Sequence, residues 1–140
     1  MNEQEILAKK IEKGDFQAGG EASSKLKDLL RKLGVESALI RKITIVTYEL
    51  EMNIIIHSLG GEIRALVSDK AVRVIANDNG PGIDNLKKAF QPGYSTASDE
   101  VREMGFGAGM GLNNVEHYSD KLKVESNADK GTIIQAIVEL

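Results

Sequence analysis

Two strand-like segments separated by only two residues constrain the fold of this chain most strongly. EIRALVS (62–68) and AVRVIAN (71–77) are rich in aliphatic and β-branched residues, and Asp69-Lys70 lies between them. So short a connection can join only antiparallel neighbours, because parallel strands need a crossover of a dozen or more residues. The chain is therefore expected to contain an antiparallel hairpin on which its other elements pack.

Two amphipathic helices are predicted before this hairpin. The first ends at Gly34, and the second runs from Ser37 to about Leu59, where Gly60-Gly61 stops it. Their apolar residues recur at helical spacing. These residues are Ala22, Leu26, Leu29, Leu30 and Leu33 in the first helix, and Ile40, Ile43, Val46, Leu50 and Ile54 in the second.

The remaining segments are shorter. KLKVES and TIIQAIVEL are predicted as two last strands joined by a turn at 127–131. We also expect a strand over about 8–17, a short helix over 83–90, a mobile loop over 91–110 and a helix from Gly111 to about Tyr118. Helices that precede hairpin-linked strands indicate an α+β fold, a two-layer α/β sandwich with helices on one face of a mixed, mostly antiparallel sheet.

Composition narrows the class of protein. The 140 residues suit a single domain spanning 1–140, and the net charge of -3 gives no sign of direct nucleic-acid or membrane binding. The absence of cysteine excludes disulfides and thiolate metal sites. The N-terminal segment is too charged for a signal peptide, and the apolar runs are too short to cross a bilayer. We therefore expect a cytoplasmic protein.

Glycine clusters in the run GFGAGMGL (105–112), which feeds the helix predicted from Gly111. The dinucleotide fingerprint G-x-G-x-x-G would need glycine where Met110 or Leu112 stands, and the P-loop pattern is absent. Bare amides and a helix N-terminus favour an anion, so the run is either a phosphate-binding loop or a flexible hinge.

The second predicted helix carries Glu49, Asn53 and His57 at i, i+4 and i+8, along one stripe of an otherwise apolar segment. Carboxylate and amide oxygens can hold Mg²⁺, and a glutamate can take a proton from a hydroxyl group. A solvated flank of the helix is the alternative interpretation. His57 is interpreted as a packing residue at the helix end.

The segment ANDNGPGIDN (76–85) places a carboxylate at the end of a strand. Asp78 could accept hydrogen bonds from a ligand amine, and Gly80 and Gly82 would let a flat ring lie on the backbone. An ordinary turn is the alternative for this segment alone.

Taken together, these three features resemble the GHKL (Bergerat) ATP-binding family in order and spacing. The family's E-x-x-x-N pattern matches Glu49 and Asn53, and its D-x-G-x-G box matches Asp78, Gly80 and Gly82. Its second glycine box and its late Gly-Thr pair match Gly105, Gly107, Gly109, Gly111 and Gly131-Thr132. The resemblance covers about residues 35–140 and implies a histidine-kinase-like ATPase fold.

The resemblance also implies a role for each matching position. Asp78 would receive the adenine amino group, Asn53 would bind Mg²⁺, and Glu49 would activate the hydroxyl that accepts the phosphate. The remaining nucleotide contacts would come from Thr132 beside the adenine, from Gly80, Gly82 and Ile83 against the purine, from Ser95, Thr96 and Arg102 in a lid, and from Gly105, Gly107, Ala108, Gly109, Met110, Gly111 and Leu112 around the phosphates. ATP and Mg²⁺ are the implied cofactors.

Within the family, ELEMNIIIH, DNGPGI, GYSTA and GTIIQAIVEL are similar to the anti-sigma-factor and stressosome-type switch kinases. This implies a serine/threonine kinase that phosphorylates a STAS-type anti-sigma-factor antagonist. The alternatives are an ATP-dependent module that sequesters a sigma factor or another regulator with little catalysis, and a detached histidine-kinase-type ATPase domain. Proteins of this kind are often dimers, and the N-terminal stretch is our candidate for a dimer or partner face.

Overall fold

The computed structural model describes residues 3–80, 111–127 and 131–140. Its elements, in chain order, are β1 (Gln4–Ile11), a 3-10 turn (Phe16–Ala18), α1 (Glu21–Lys32), α2 (Ser37–His57), β2 (Gly61–Val67), β3 (Ala71–Asp78), α3 (Gly111–Tyr118), β4 (Lys121–Asn127) and β5 (Gly131–Glu139). The predicted helix over 83–90 and the predicted loop over 91–110 lie outside the described residues.

The five strands form one sheet in the order β1-β2-β3-β5-β4, and all four pairings between them are antiparallel. The hairpin at Asp69-Lys70 is confirmed: Val67 pairs with Val72, and the Ser68 amide donates to the Ala71 carbonyl at 2.9 Å. The three helices contact the sheet or each other on its buried side, with α2 against β1, β2, β3 and β5. The predicted α+β sandwich is therefore confirmed.

Side chains alternate between the two faces of β3, and this alternation determines which of them are buried in the core. Val72, Val74 and Ala76 are buried beneath the helices, and Asp78 continues the same face at only 8% exposure. Successive strand side chains point to opposite faces, so Asp78 is directed toward the helical layer by the period of the strand itself. The last strand residue is thus a carboxylate where the pattern would place an apolar side chain.

The N-terminal strand was predicted about four residues too late, at 8–17 in place of Gln4–Ile11. It pairs with β2 from Gln4 opposite Val67 to Ile11 opposite Gly61, and it ends where β2 begins. Beyond it, the Gly14 amide donates to the Ile55 carbonyl at 3.0 Å, which draws the chain off the sheet and toward α2. The length of β2, the partner strand, therefore sets the boundaries of β1.

Both predicted helices exist and are slightly shorter than expected. Because α1 ends at Lys32, Leu33 is 56% exposed and does not join the buried stripe to which the sequence assigned it. Helix α2 ends two residues early because the backbone of Ser58 is extended, with φ −121° and ψ 177°. The Ser58 hydroxyl donates to the Ile54 carbonyl and accepts from the Gly60 amide. Within residues 3–80, 111–127 and 131–140, no helix combines the length and apolar character required to cross a membrane.

Candidate nucleotide site

The Asp78 carboxylate is held in place by the backbone on two sides. Its Oδ1 accepts hydrogen bonds from the Gly80 amide and from the Thr132 amide, both at 3.0 Å. Burial raises the pKa of Asp78, while the two amide donors oppose that rise. Both amides donate to Oδ1, so the backbone holds the orientation of the carboxylate through this one oxygen. The structure thus brings Asp78, Gly80 and Thr132 together.

Gly131, where β5 begins, passes so close to Asp78 that no side chain fits there. Its φ is +107°, and an added Cβ would lie 2.7 Å from Asp78 Oδ1, 2.7 Å from the Gly80 nitrogen and closer still to the Asp78 carbonyl oxygen. Real Cβ atoms do not tolerate such approaches, so the glycine of the Gly-Thr pair is required by the position of the carboxylate. This is a physical reason for a residue that the sequence identified only by resemblance.

We expect Gly131→Ala to destabilise the fold and to weaken the Asp78 site. Gly34→Ala is the matched control, because Gly34 also has a positive φ, +77°, but its Cβ would meet nothing within 4 Å. The control should cost about 1–2 kcal/mol of unfolding free energy for the left-handed backbone alone. Gly131→Ala should cost about 1–3 kcal/mol more, from the forced overlap. Denaturant unfolding of both variants checks this, and equal losses would contradict the contact.

The end of α2 is tied to the turn that follows Asp78. The Leu59 amide donates to the Gly80 carbonyl at 2.7 Å, and the Asn79 amide donates to the Gly60 carbonyl at 2.8 Å. These two bonds place the C-terminal end of α2 at the same end of the sheet as Asp78. From the C-terminal end of α2 toward its N-terminal end, successive turns of the helix therefore lie farther from the Asp78 carboxylate.

The predicted pair Asn53 and Glu49 lies along α2, and both side chains are half-buried. Four residues at 1.5 Å each separate them by about 6 Å along the helix axis, with Asn53 nearer to the Asp78 end. His57, the last residue of α2, is half-buried, and burial lowers the pKa of its imidazole. This fits the interpretation of His57 as a packing residue.

Of this pair on α2, Glu49 is the residue that lies against α3. Helix α3 packs against α2. Burial raises the pKa of Glu49, and hydrogen bonding from the Asn114 side chain of α3 partly offsets this. A carboxylate with raised proton affinity and a neutral partner can act as a base toward a hydroxyl group.

The glycine box reaches the described residues only at its end. Gly111 is the first residue of α3, and Leu112 is 8% exposed within the core. Any contact of Leu112 with a ligand would therefore come from its backbone. The other predicted contacts lie outside the described residues: Gly82, Ile83, Ser95, Thr96, Arg102, Gly105, Gly107, Ala108, Gly109 and Met110.

A metal ion at this site would depend on few protein ligands. No group of three or more His, Cys, Asp and Glu side chains suited to a metal occurs in the described parts of the chain. Asn53 offers an amide oxygen, a ligand type that Mg²⁺ accepts when phosphate oxygens and waters complete its shell. The single amide oxygen of Asn53 thus fits a magnesium ion that binds together with a nucleotide.

Sequence reasoning missed Glu51, a fully buried carboxylate in the middle of α2. It accepts hydrogen bonds from the Ala22 amide at 3.0 Å and from the Ser23 amide at 3.4 Å, at the start of α1. The residue before α1 is Gly20, which has no side chain to cap the helix, so Glu51 supplies the cap from another element. The available signal was an uncapped Gly-Gly start together with an acidic residue in an apolar helix.

Comparison with known proteins agrees with this architecture. The sequence profile of the family described as histidine kinase-, DNA gyrase B-, and HSP90-like ATPases matches residues 38–140. A chain in the crystal structure of the SiaB–SiaC complex from Pseudomonas aeruginosa has the same fold, with a TM-score of 0.59 at 12% identity over 97% of this chain and 91% of that one. The fold and its motifs thus define a class of ATPase-type α+β domains.

The chain belongs to the histidine kinase-, DNA gyrase B- and HSP90-like ATPase family, as the GHKL resemblance implied. Serine/threonine-protein kinase RsbT of Bacillus subtilis is 33% identical over 115 residues, covering 79% of this chain and 80% of RsbT. The anti-sigma F factor of Caldanaerobacter subterraneus is 35% identical over 88 residues, covering 59% of this chain and 58% of that protein. The match thus spans less than two thirds of that factor's own length.

Proposed function

We propose that this chain is an ATP-dependent serine/threonine kinase that phosphorylates a STAS-type anti-sigma-factor antagonist. The observation that carries the proposal is the order of groups leading away from the sheet end: Asp78, then Asn53, then Glu49. This is the order in which a bound ATP would present its base, its metal-bridged phosphates and its transferable phosphoryl group. Similarity to RsbT over four fifths of that kinase supports the choice of reaction.

In this proposal Asp78 accepts a hydrogen bond from the adenine amino group, and Oδ1 stays with its two amides. Thr132 lies beside the base, and Gly80 and Gly82 lie against the purine. Asn53 holds Mg²⁺, which neutralises charge on the phosphates. Ile83, Ser95, Thr96, Arg102 and the glycine box through Leu112 make the remaining nucleotide contacts.

Glu49 receives the proton from a serine or threonine hydroxyl of the partner. The hydroxyl oxygen bonds to the γ-phosphorus while the bond from that phosphorus to the β-phosphate oxygen breaks, and ADP leaves with the electron pair. Phosphoryl transfer needs mainly positioning and charge neutralisation from the protein, which matches a site with one base and one amide ligand. We propose that residues 1–140 act as one such domain, in the cytoplasm.

A phosphotransfer assay tests this function directly. The full chain is incubated with γ-labelled ATP, Mg²⁺ and the STAS-domain proteins encoded in the same genome. We expect phosphoserine or phosphothreonine on one of them, and no label on that protein when its acceptor is changed to alanine. Binding of ATP without transfer to any STAS protein would contradict the kinase proposal.

Sequestration of a sigma factor is a second function that we propose, because the anti-sigma F factors are relatives. It would use the ATP-bound conformation without requiring the proton transfer at Glu49. Capture of a sigma factor by the ATP-bound chain, at equal strength in wild type and Glu49→Gln, would support this role. Loss of capture in Glu49→Gln would contradict it.

A further inference from the structure

A groove lies between the α1–α2 connection and the β2–β3 turn. Its volume is about 430 Å³, and its walls include Leu39 on the helical side and Val67 on the sheet side. Strand β3 runs from Ala71, beside this turn, to Asp78. Seven residue steps of about 3.3 Å separate the two ends of that strand by about 23 Å. The groove is therefore separate from the candidate nucleotide site.

The surface of the groove is apolar and open to solvent. Leu33 and Leu140 line it, and their side chains are 56% and 44% exposed. They are two of the four large apolar side chains that are exposed within the described residues. Val35, Leu39 and Val67 complete the apolar lining and are half-buried. Exposed apolar side chains that cluster on one surface indicate a site of interaction, whereas single ones are ordinary.

Hydrogen bonds hold both walls of the groove in place. On the helical side, the Val35 amide donates to the Leu30 carbonyl at 3.1 Å, which closes the turn after α1. On the sheet side, the Ser68 hydroxyl accepts from the Lys70 and Ala71 amides, both at 3.2 Å. A surface whose shape is fixed before binding loses less conformational freedom when a partner binds. The groove is thus preformed in the folded chain.

The charge of the groove is negative. Glu36 and Asp69 line it, one on each wall, and both are exposed. Within the described parts of the chain, neither carboxylate forms an ion pair. The exposed lysines Lys32 and Lys70 are neighbours of lining residues in the sequence but do not line the groove themselves. An apolar surface between two unpaired carboxylates is complementary to an apolar group that has a cation beside it.

The openness of the groove indicates which kind of ligand it fits. Small-molecule sites usually enclose most of their ligand, whereas the leucines on these walls stay about half exposed. An open groove suits a segment whose outer side is covered by the protein that carries it.

We propose that this groove is a docking site for a segment of a protein partner, which inserts aliphatic side chains between the walls and pairs a neighbouring lysine or arginine with Glu36 and Asp69. The segment would bind at the end of the sheet opposite to the nucleotide site. The inference therefore does not rest on the proposed kinase reaction, and the two can fail separately.

NMR of the full chain with a synthetic peptide tests the docking site. The probe is a short amphipathic peptide of leucine and lysine, and its control is a peptide of the same length and pattern with glutamate in place of lysine. We expect saturable shifts of the Leu33, Leu39 and Val67 methyl signals with the first peptide and none with the second. Equal binding of both peptides, or shifts confined to other surfaces, would overturn the proposal.

Charge variants test the two carboxylates. Glu36→Gln combined with Asp69→Asn should weaken the leucine–lysine peptide about 3- to 10-fold, because two exposed ion pairs are lost. Glu116→Gln combined with Glu125→Gln removes the same charge from exposed positions outside the groove and should leave the affinity unchanged. Equal losses in the two double variants would show that the peptide responds only to net charge, which would refute the assignment.

A pair of leucine variants tests the apolar contact. Leu33→Ser should weaken the same peptide about 10-fold, since the binding energy of an aliphatic side chain is lost. Leu59→Ser is the matched control, because Leu59 is 59% exposed and lies outside the groove. It should bind the peptide as the wild type does. Equal affinities of Leu33→Ser and the wild type would contradict the docking site.

Two further measurements distinguish other occupants. Sedimentation should give the same oligomeric state for the wild type and Leu33→Ser, whereas a dimer that Leu33→Ser dissociates would show that a second copy fills the groove. Hexylammonium should bind far more weakly than the peptide, and equal affinity would indicate a small-molecule site. Either of these contrary results would overturn the proposal and leave the kinase proposal untouched.

Discussion

Glu49→Gln should abolish phosphotransfer and leave ATP binding nearly intact. The substitution keeps the size of the side chain and removes its capacity to take a proton, so we expect kcat to fall by at least about 100-fold, as for other general bases. The Kd for ATP should change by no more than about twofold, since Glu49 contacts the acceptor hydroxyl in this account and not the adenine. Single-turnover transfer and calorimetry on the same protein samples measure the two quantities.

Glu116→Gln is the control for this substitution. Glu116 lies on α3 and is exposed, so removing its charge tests for a general electrostatic effect near the site. It should keep wild-type kcat. Full activity in Glu49→Gln would show that another group takes the proton, and a matching loss of ATP affinity would show that Glu49 belongs to the nucleotide contacts.

Asp78→Asn should weaken ATP about 10- to 100-fold, with or without Mg²⁺. The buried carboxylate accepts from the adenine amino group in this account, and hydrogen bonds to charged groups contribute about 1.5–3 kcal/mol. An asparagine presents a donor where an acceptor is needed. Asn53→Ala should instead remove mainly the Mg²⁺-dependent part of the affinity, because its amide oxygen is assigned to the metal. Calorimetry with each variant, with and without Mg²⁺, separates the two roles.

The Asp78 prediction also has a pH dependence with a definite sign. Burial raises the pKa of Asp78, and only the ionised carboxylate is a pure acceptor. ATP affinity should therefore fall as the pH is lowered through this raised pKa, and Asp78→Asn should lose that dependence. Asp69→Asn, an exposed change in the β2–β3 turn, should match the wild type. Equal affinities for wild type, Asp78→Asn and Asn53→Ala would refute the site.

The elements that could be predicted from the sequence are those set by local pattern. The hairpin at 69–70 follows from two strand-like segments and a two-residue connection, and α2 follows from its apolar periodicity. The boundaries of β1 did not follow, because they depend on where β2 offers partners. Leu33 was misplaced for a similar reason, since its helix ends before the apolar spacing does.

The residues of the site divide in the same way: some are recognised from local sequence pattern, and others make contacts between segments that are far apart in the chain. The spacing of Glu49 and Asn53, and the place of Asp78 at the end of a strand, are local and were predicted from the sequence. Glu51 caps α1 by accepting from the Ala22 amide, 29 residues earlier in the chain, and Asn114 lies beside Glu49 on another element. A hydrogen bond between segments so far apart leaves no periodic signal, so these two polar contacts became visible only in the folded chain.

A crystal structure with Mg²⁺ and a non-hydrolysable ATP analogue tests the central claim most directly. We expect the adenine amino nitrogen within hydrogen-bonding distance of the Asp78 carboxylate, Asn53 on the metal and the γ-phosphate at the Glu49 end of α2. A nucleotide bound elsewhere on the protein, or bound here with its adenine away from Asp78, would contradict the account.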